Sequence, residues 1–73
     1  MAAIVRLKLN KYLDEHSITR YQLEKLTGIK YLTIDNYYKN KVTRYDSYLL
    51  AKMCEALQCD ISDIIELVKE PEE

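Results

Sequence analysis

Lys39, Lys41 and Arg44 stand together in one short polar stretch, and Thr19, Arg20, Lys25 and Lys30 precede them at short intervals. Ammonium and guanidinium groups at this density can pair with the oxygens of a polyanion such as a phosphate backbone. The side chains that do covalent chemistry are not grouped in this way. The sequence offers no nucleophile beside a base, no phosphate-binding glycine loop and no metal cluster, so the expectation is a binding protein, not an enzyme, with no cofactor. Cys54 and Cys59 lack the C-x-x-C spacing of a metal site, and the single histidine, His16, is far away in sequence. The two cysteines read as small buried hydrophobes. His16 reads as a surface residue or a favourable cation at the end of the first helix.

The elements that position the cations must fit into 73 residues, enough for one small core and no separate catalytic domain. One Gly and one Pro in the whole chain favour helices with short connections over a many-turned sheet. The net charge of -1 conceals an asymmetry: through Tyr45 nine cations face four anions, and from Asp46 onward two cations face eight anions. A basic half can meet phosphates while an acidic half faces solvent. No apolar run is long enough to span a membrane, and the first residues have no signal-peptide layout, so a cytoplasmic protein is expected.

The apolar spacing predicts five helices. The first covers Ile4 to His16 on Val5, Leu9, Tyr12 and Leu13. Its beginning, Ile4 to Leu9, also alternates apolar and basic residues as a strand would, and helix is preferred because the pattern continues through Leu13. The second helix runs from Arg20 to Leu26 or Thr27, with Leu23 and Leu26 inward. Thr19 and Gln22 form a capping box, and Gly28 supplies the left-handed end. The third runs from about Lys30 to Tyr38, with Ile34 and Tyr37 inward and Asn40 able to stand in for glycine behind it. Asp46 caps the fourth, Ser47 to Leu57. Asp60, with Asp63 at the third position after it, caps a fifth, Ile61 to Val68. The domain is expected to span residues 1–68, and residues 69–73 form an acidic tail that frays.

Two short helices around a glycine turn follow the helix-turn-helix plan, in which the first helix crosses the DNA backbone and the second enters the major groove. The stretch Ile18-Thr19-Arg20-Tyr21-Gln22-Leu23-Glu24-Lys25-Leu26-Thr27-Gly28-Ile29-Lys30-Tyr31-Leu32-Thr33-Ile34 resembles the Xre-like (Cro and lambda-repressor-like) helix-turn-helix family. Leu50 to Leu57 followed by Ile61-Ser62-Asp63-Ile64 is similar to that family's fourth helix and the segment after it. The resemblance implies an all-α, five-helix lambda-repressor-like DNA-binding domain and a small transcriptional regulator, expected to act as a repressor. It places Lys30, Tyr31, Leu32 and Asn36 at base edges. Thr19, Arg20 and Thr33 fall at backbone-contacting positions, and Lys39, Lys41 and Arg44 occupy the loop that follows the phosphates. Asn36 could bond adenine in bidentate fashion and Leu32 could pack on a thymine methyl. Glu24 in place of a small residue, Lys30 in place of a Ser or Thr cap, and Tyr38 and Asn40 in place of Glu and Gly depart from the family pattern.

The expected partners are double-stranded DNA and a second copy of the chain. Ile61, Ile65 and Val68 on the fifth helix are the candidate dimer interface. The rival class is a protein-interaction module of the same fold, such as an antitoxin or antirepressor partner. It is favoured by the near-neutral charge and by Tyr31 and Leu32 lying outward on the third helix. The run of tyrosines could stack on single-stranded bases, or could replace the absent Phe and Trp in the core, the reading preferred here.

Overall fold

The computed structural model describes residues 2–70. The chain runs β1 (Ala2–Leu7), α1 (Leu9–Glu15), α2 (Arg20–Thr27), α3 (Tyr31–Tyr38), α4 (Ser47–Leu57), a 3-10 turn (Ile61–Asp63) and β2 (Ile65–Glu70). Four helices therefore carry the core, and the two ends of the chain join as an antiparallel ribbon in which Ile4 opposes Val68, Val5 opposes Leu67 and Arg6 opposes Glu66.

The ribbon corrects the expectation of five helices and an all-α fold. The predicted first helix begins only at Leu9, and the predicted fifth is a single 3-10 turn followed by a strand. The physical reason is pairing over a long separation. Ile4, Val5, Ile65 and Val68 are β-branched, and they meet across the ribbon in a ladder that satisfies their backbone groups. Lys69 and Glu70, expected in a frayed tail, pair with Ala3 and Ala2. The rest of that tail, residues 71–73, lies outside the described residues.

The local signals behave as their chemistry dictates. In α2, Gln22 N–H donates to Thr19 Oγ1 at 3.0 Å and Thr19 N–H donates to Gln22 Oε1 at 2.8 Å, closing the capping box. Gly28 ends the helix at φ 78°, the left-handed conformation in which a Cβ is disfavoured. Asp46 caps α4 by accepting from the Tyr48 and Leu49 N–H groups. Asp60 and Asp63 form the predicted reciprocal cap, on the 3-10 turn rather than on a helix.

Inside, Leu9 and Leu13 of α1, Leu23 of α2, Ile34 of α3, Met53 of α4 and Ile64 are all but sealed from solvent. Leu26 is a correction: expected inward, it is 60% exposed. Thr27, one turn after Leu23, takes the inner position instead. Its hydroxyl donates to the Leu23 carbonyl at 2.7 Å and accepts from Ile29 N–H at 3.1 Å, fastening the glycine turn.

Candidate nucleic-acid interface

The candidate interface comprises α2, the turn at Gly28 and α3. Leu23, Ile29, Ile34 and Tyr37 are buried and hold the two helices together. The opposite side of α3 is left outward. Tyr31 is 40% and Leu32 69% exposed, Lys30 is exposed at the N-terminal boundary, and Thr33 and Asn36 are half-buried. Two large apolar side chains thus stand next to each other in sequence at the start of this eight-residue helix, both exposed.

Arg20 occupies a place the sequence did not indicate. Its guanidinium pairs with the Asp35 carboxylate and lies over the Tyr38 ring, 4.4 Å from the centroid, with Tyr31 at 5.9 Å. Lys39 reaches the other oxygen of Asp35 at 3.2 Å. The first turn of α2 is thus tied to the middle of α3 by a carboxylate between two cations. Burial works to raise the Asp35 carboxyl. The hydrogen bonds from Lys39 and Arg20 and their charges outweigh it and hold the group below its ordinary value. A carboxyl lowered on folding stabilises above its unfolded pKa, and that stability is lost as pH falls through the folded value. Asp35→Asn should therefore lower thermal stability at neutral pH and flatten its loss below about pH 4. Identical acid profiles for the variant and the parent would remove the role of this pair. The available signal was Asp35 and Lys39 at i, i+4. Nothing local pointed to Arg20, 15 positions earlier.

The polar loop after α3 is fastened rather than free. Asn40 takes the expected left-handed conformation at φ 61°. Its side chain also accepts from Leu7 N–H and donates to the Leu7 carbonyl, each at 3.3 Å, so it grips the edge of β1. Tyr45 donates to the Val5 carbonyl at 3.3 Å, and the buried Tyr37 hydroxyl accepts from Asp46 N–H at 3.0 Å. Lys41 and Arg44 are exposed between these anchors. Four of the predicted cations thus fall into two groups: Arg20 and Lys39 share Asp35, while Lys41 and Arg44 stand clear on an anchored loop. The Thr19 hydroxyl is engaged in its cap.

The tyrosines divide by role. Tyr37 belongs to the core and Tyr38 donates to Asp14 at 2.9 Å, whereas Tyr21, Tyr31 and Tyr48 are exposed. Away from this face, Cys54 and Cys59 are free and half-buried, with burial first among the causes that push Cys59 up to about 11. His16 closes α1 with Nδ1 2.8 Å from the Tyr12 carbonyl and its ring stacked 4.0 Å from the Tyr12 ring. Among the described residues no cluster of three metal-ligating side chains occurs, and no helix is long and apolar enough to cross a membrane.

The model of the Cro/C1-type HTH DNA-binding domain matches residues 8–70. The chain belongs to this family. The match spans α2, α3 and the loop just described. Two solved structures are similar. The transcriptional regulator VanUg is 28% identical with a TM-score of 0.73, over 96% of this chain and 92% of that one. A Bacteroides fragilis protein described as DNA-binding is 24% identical with a TM-score of 0.75, over 86% of this chain and all of that one, and shows the fold alone. The comparison with curated proteins gave no match.

Proposed function

We propose that this Cro/C1-type domain is a transcriptional repressor that binds specific double-stranded DNA as a homodimer in the cytoplasm, with α3 in the major groove. The observation that carries the reading is that α3 is fixed from behind and open in front. Ile34 and Tyr37 are buried and Asp35 is clamped, while Tyr31 and Leu32 face outward. In this reading Lys30, Tyr31, Leu32 and Asn36 meet base edges, with Leu32 on a thymine methyl and Asn36 on adenine. Lys41 and Arg44 pair with phosphates, and Thr19 and Thr33 approach the backbone. Arg20 and Lys39 reach phosphate only by sharing themselves with Asp35, so they contribute mainly by setting the angle of α3.

Selection of duplex sites from a random pool tests the reading. The expected result is an enriched two-fold symmetric site with A·T pairs in each half. A pool that stays random after repeated rounds would remove sequence-specific recognition. A second reading, a protein-interaction module of the same fold, is favoured by the apolar exposure of Tyr21 and Leu26 on α2, 57% and 60%. Failure on DNA together with a stable protein partner would establish it.

A further inference from the structure

Asp35 spends both of its carboxylate oxygens inside the fold, one on Arg20 and the other on Lys39. Its side chain is 15% exposed, against 31% for Arg20 and 49% for Lys39, so the two cations are more open to solvent than the anion they share. The three groups come from the first turn of α2, the middle of α3 and the start of the loop that carries Lys41 and Arg44. Carboxylate and phosphate oxygens are recognised by the same ammonium and guanidinium donors. Asp35 therefore occupies donors that a phosphate would use, and its charge repels a phosphate brought up to the same cations. The cations in turn hold its carboxyl below the ordinary value, so it stays charged at neutral pH. Lys41 and Arg44 differ: both are exposed, and among the described residues neither is ion-paired.

We propose that Asp35 is a specificity-determining residue, which withholds Arg20 and Lys39 from DNA phosphates while it fixes α3 against α2. The inference rests on the DNA reading above and adds to it a residue outside the base-reading set. Two effects of the one carboxylate act in the same direction. Phosphate contacts carry no sequence information, so releasing two cations would tighten binding to every duplex alike. The angle of α3 matters only where base edges are read, so loosening it would weaken binding to the proper site alone. With Asp35 in place, arbitrary duplex is held by fewer phosphate contacts, and α3 stays at the angle that base reading needs. The ratio of specific to non-specific affinity is therefore higher with the carboxylate than without it. The Tyr38 ring, 4.4 Å from the Arg20 guanidinium, supports the same arrangement by holding the cation from a second side.

Fluorescence anisotropy on random duplex and on the selected site, across a salt series, tests the proposal. Asp35→Asn removes the charge and keeps the size. On random duplex its slope of log affinity against log salt should steepen by up to about two units, one for each released cation. Its ratio of selected-site to random-duplex affinity should fall. Glu24→Gln removes the same charge from α2, where no cation is paired among the described residues, and should steepen the slope far less. Asp35→Glu restores the carboxylate and should return the slope toward the parent's. A role in folding alone would weaken binding without steepening the slope. A slope in Asp35→Asn no steeper than in Glu24→Gln overturns the proposal, as does a steeper slope with an unchanged ratio. Lys39→Gln and Lys41→Gln give a second comparison that does not require Asp35→Asn to fold. The withheld Lys39 should flatten the slope less than Lys41 does, and equal flattening overturns the proposal. The DNA reading fails separately: a parent that binds no duplex near 50 mM salt, or selects no site, sinks that reading, whereas a parent that does both beside an unmoved Asp35→Asn slope sinks this inference alone.

Discussion

Replacing Asn40 by alanine should destabilise the domain by about 2–4 kcal/mol, since the side chain makes two hydrogen bonds worth roughly 1 kcal/mol each and shields a half-covered strand edge. The left-handed backbone adds to the loss, because alanine at a positive φ is strained by about 1 kcal/mol where asparagine is tolerated. The two contributions can be separated. Asn40→Gly relieves the backbone but restores neither bond to Leu7, so it should recover only about 1 kcal/mol of the alanine variant's deficit. Asn40→Asp keeps an acceptor for Leu7 N–H but loses the donor to the Leu7 carbonyl, and should fall between the alanine variant and the parent. Urea unfolding of the three variants gives the comparison. A glycine variant as stable as the parent would mean that the side-chain bonds contribute nothing and that only the turn matters. The expected consequence reaches function, since the same residue holds the loop that carries Lys41 and Arg44 against β1.

What the sequence disclosed and what it concealed follow from the range of each interaction. The capping box at Thr19 and Gln22, the left-handed Gly28 and Asn40, and the Asp46 cap were legible because each involves backbone groups only a few residues away. Leu23, Ile34 and Tyr37 were legible because a 3.6-residue period states which face is inward. The ribbon was not, because six-residue segments carry too little periodicity to separate strand from helix, and the partner of Ile4 is Val68, at the other end of the chain. Alternation of apolar and basic residues from Ile4 to Leu9 was the one trace of it. Leu26 misled because its spacing from Leu23 is helical, yet Thr27 makes the bonds that fasten the turn.

The candidate site was legible in part for the same reason. The positions that face outward on α3 followed from those that face inward. The coupling of Arg20 to Asp35 did not, since it joins two helices across the glycine turn and competes with the phosphate role that a cation at the start of α2 suggests. Lys39 shares that carboxylate. In the proposed reading the burden of phosphate contact therefore falls on Lys41 and Arg44, which are exposed on a loop held by Asn40, Tyr37 and Tyr45.

That shift makes Lys41 and Arg44 the residues whose loss should change DNA affinity most. Each phosphate contact contributes about one unit to the slope of log affinity against log salt, so the Lys41→Ala, Arg44→Ala double variant should lose about two units per bound chain. Between about 50 and 200 mM salt the parent's fall in affinity should exceed that of the variant by roughly tenfold. The change should be similar for every duplex, because phosphates carry no sequence information. Fluorescence anisotropy of the parent and the double variant on random duplex DNA, across a salt series, reads this directly. Steep salt dependence in the parent with a shallower slope in the variant is the predicted result. No binding by the parent even near 50 mM salt would contradict DNA recognition by this face.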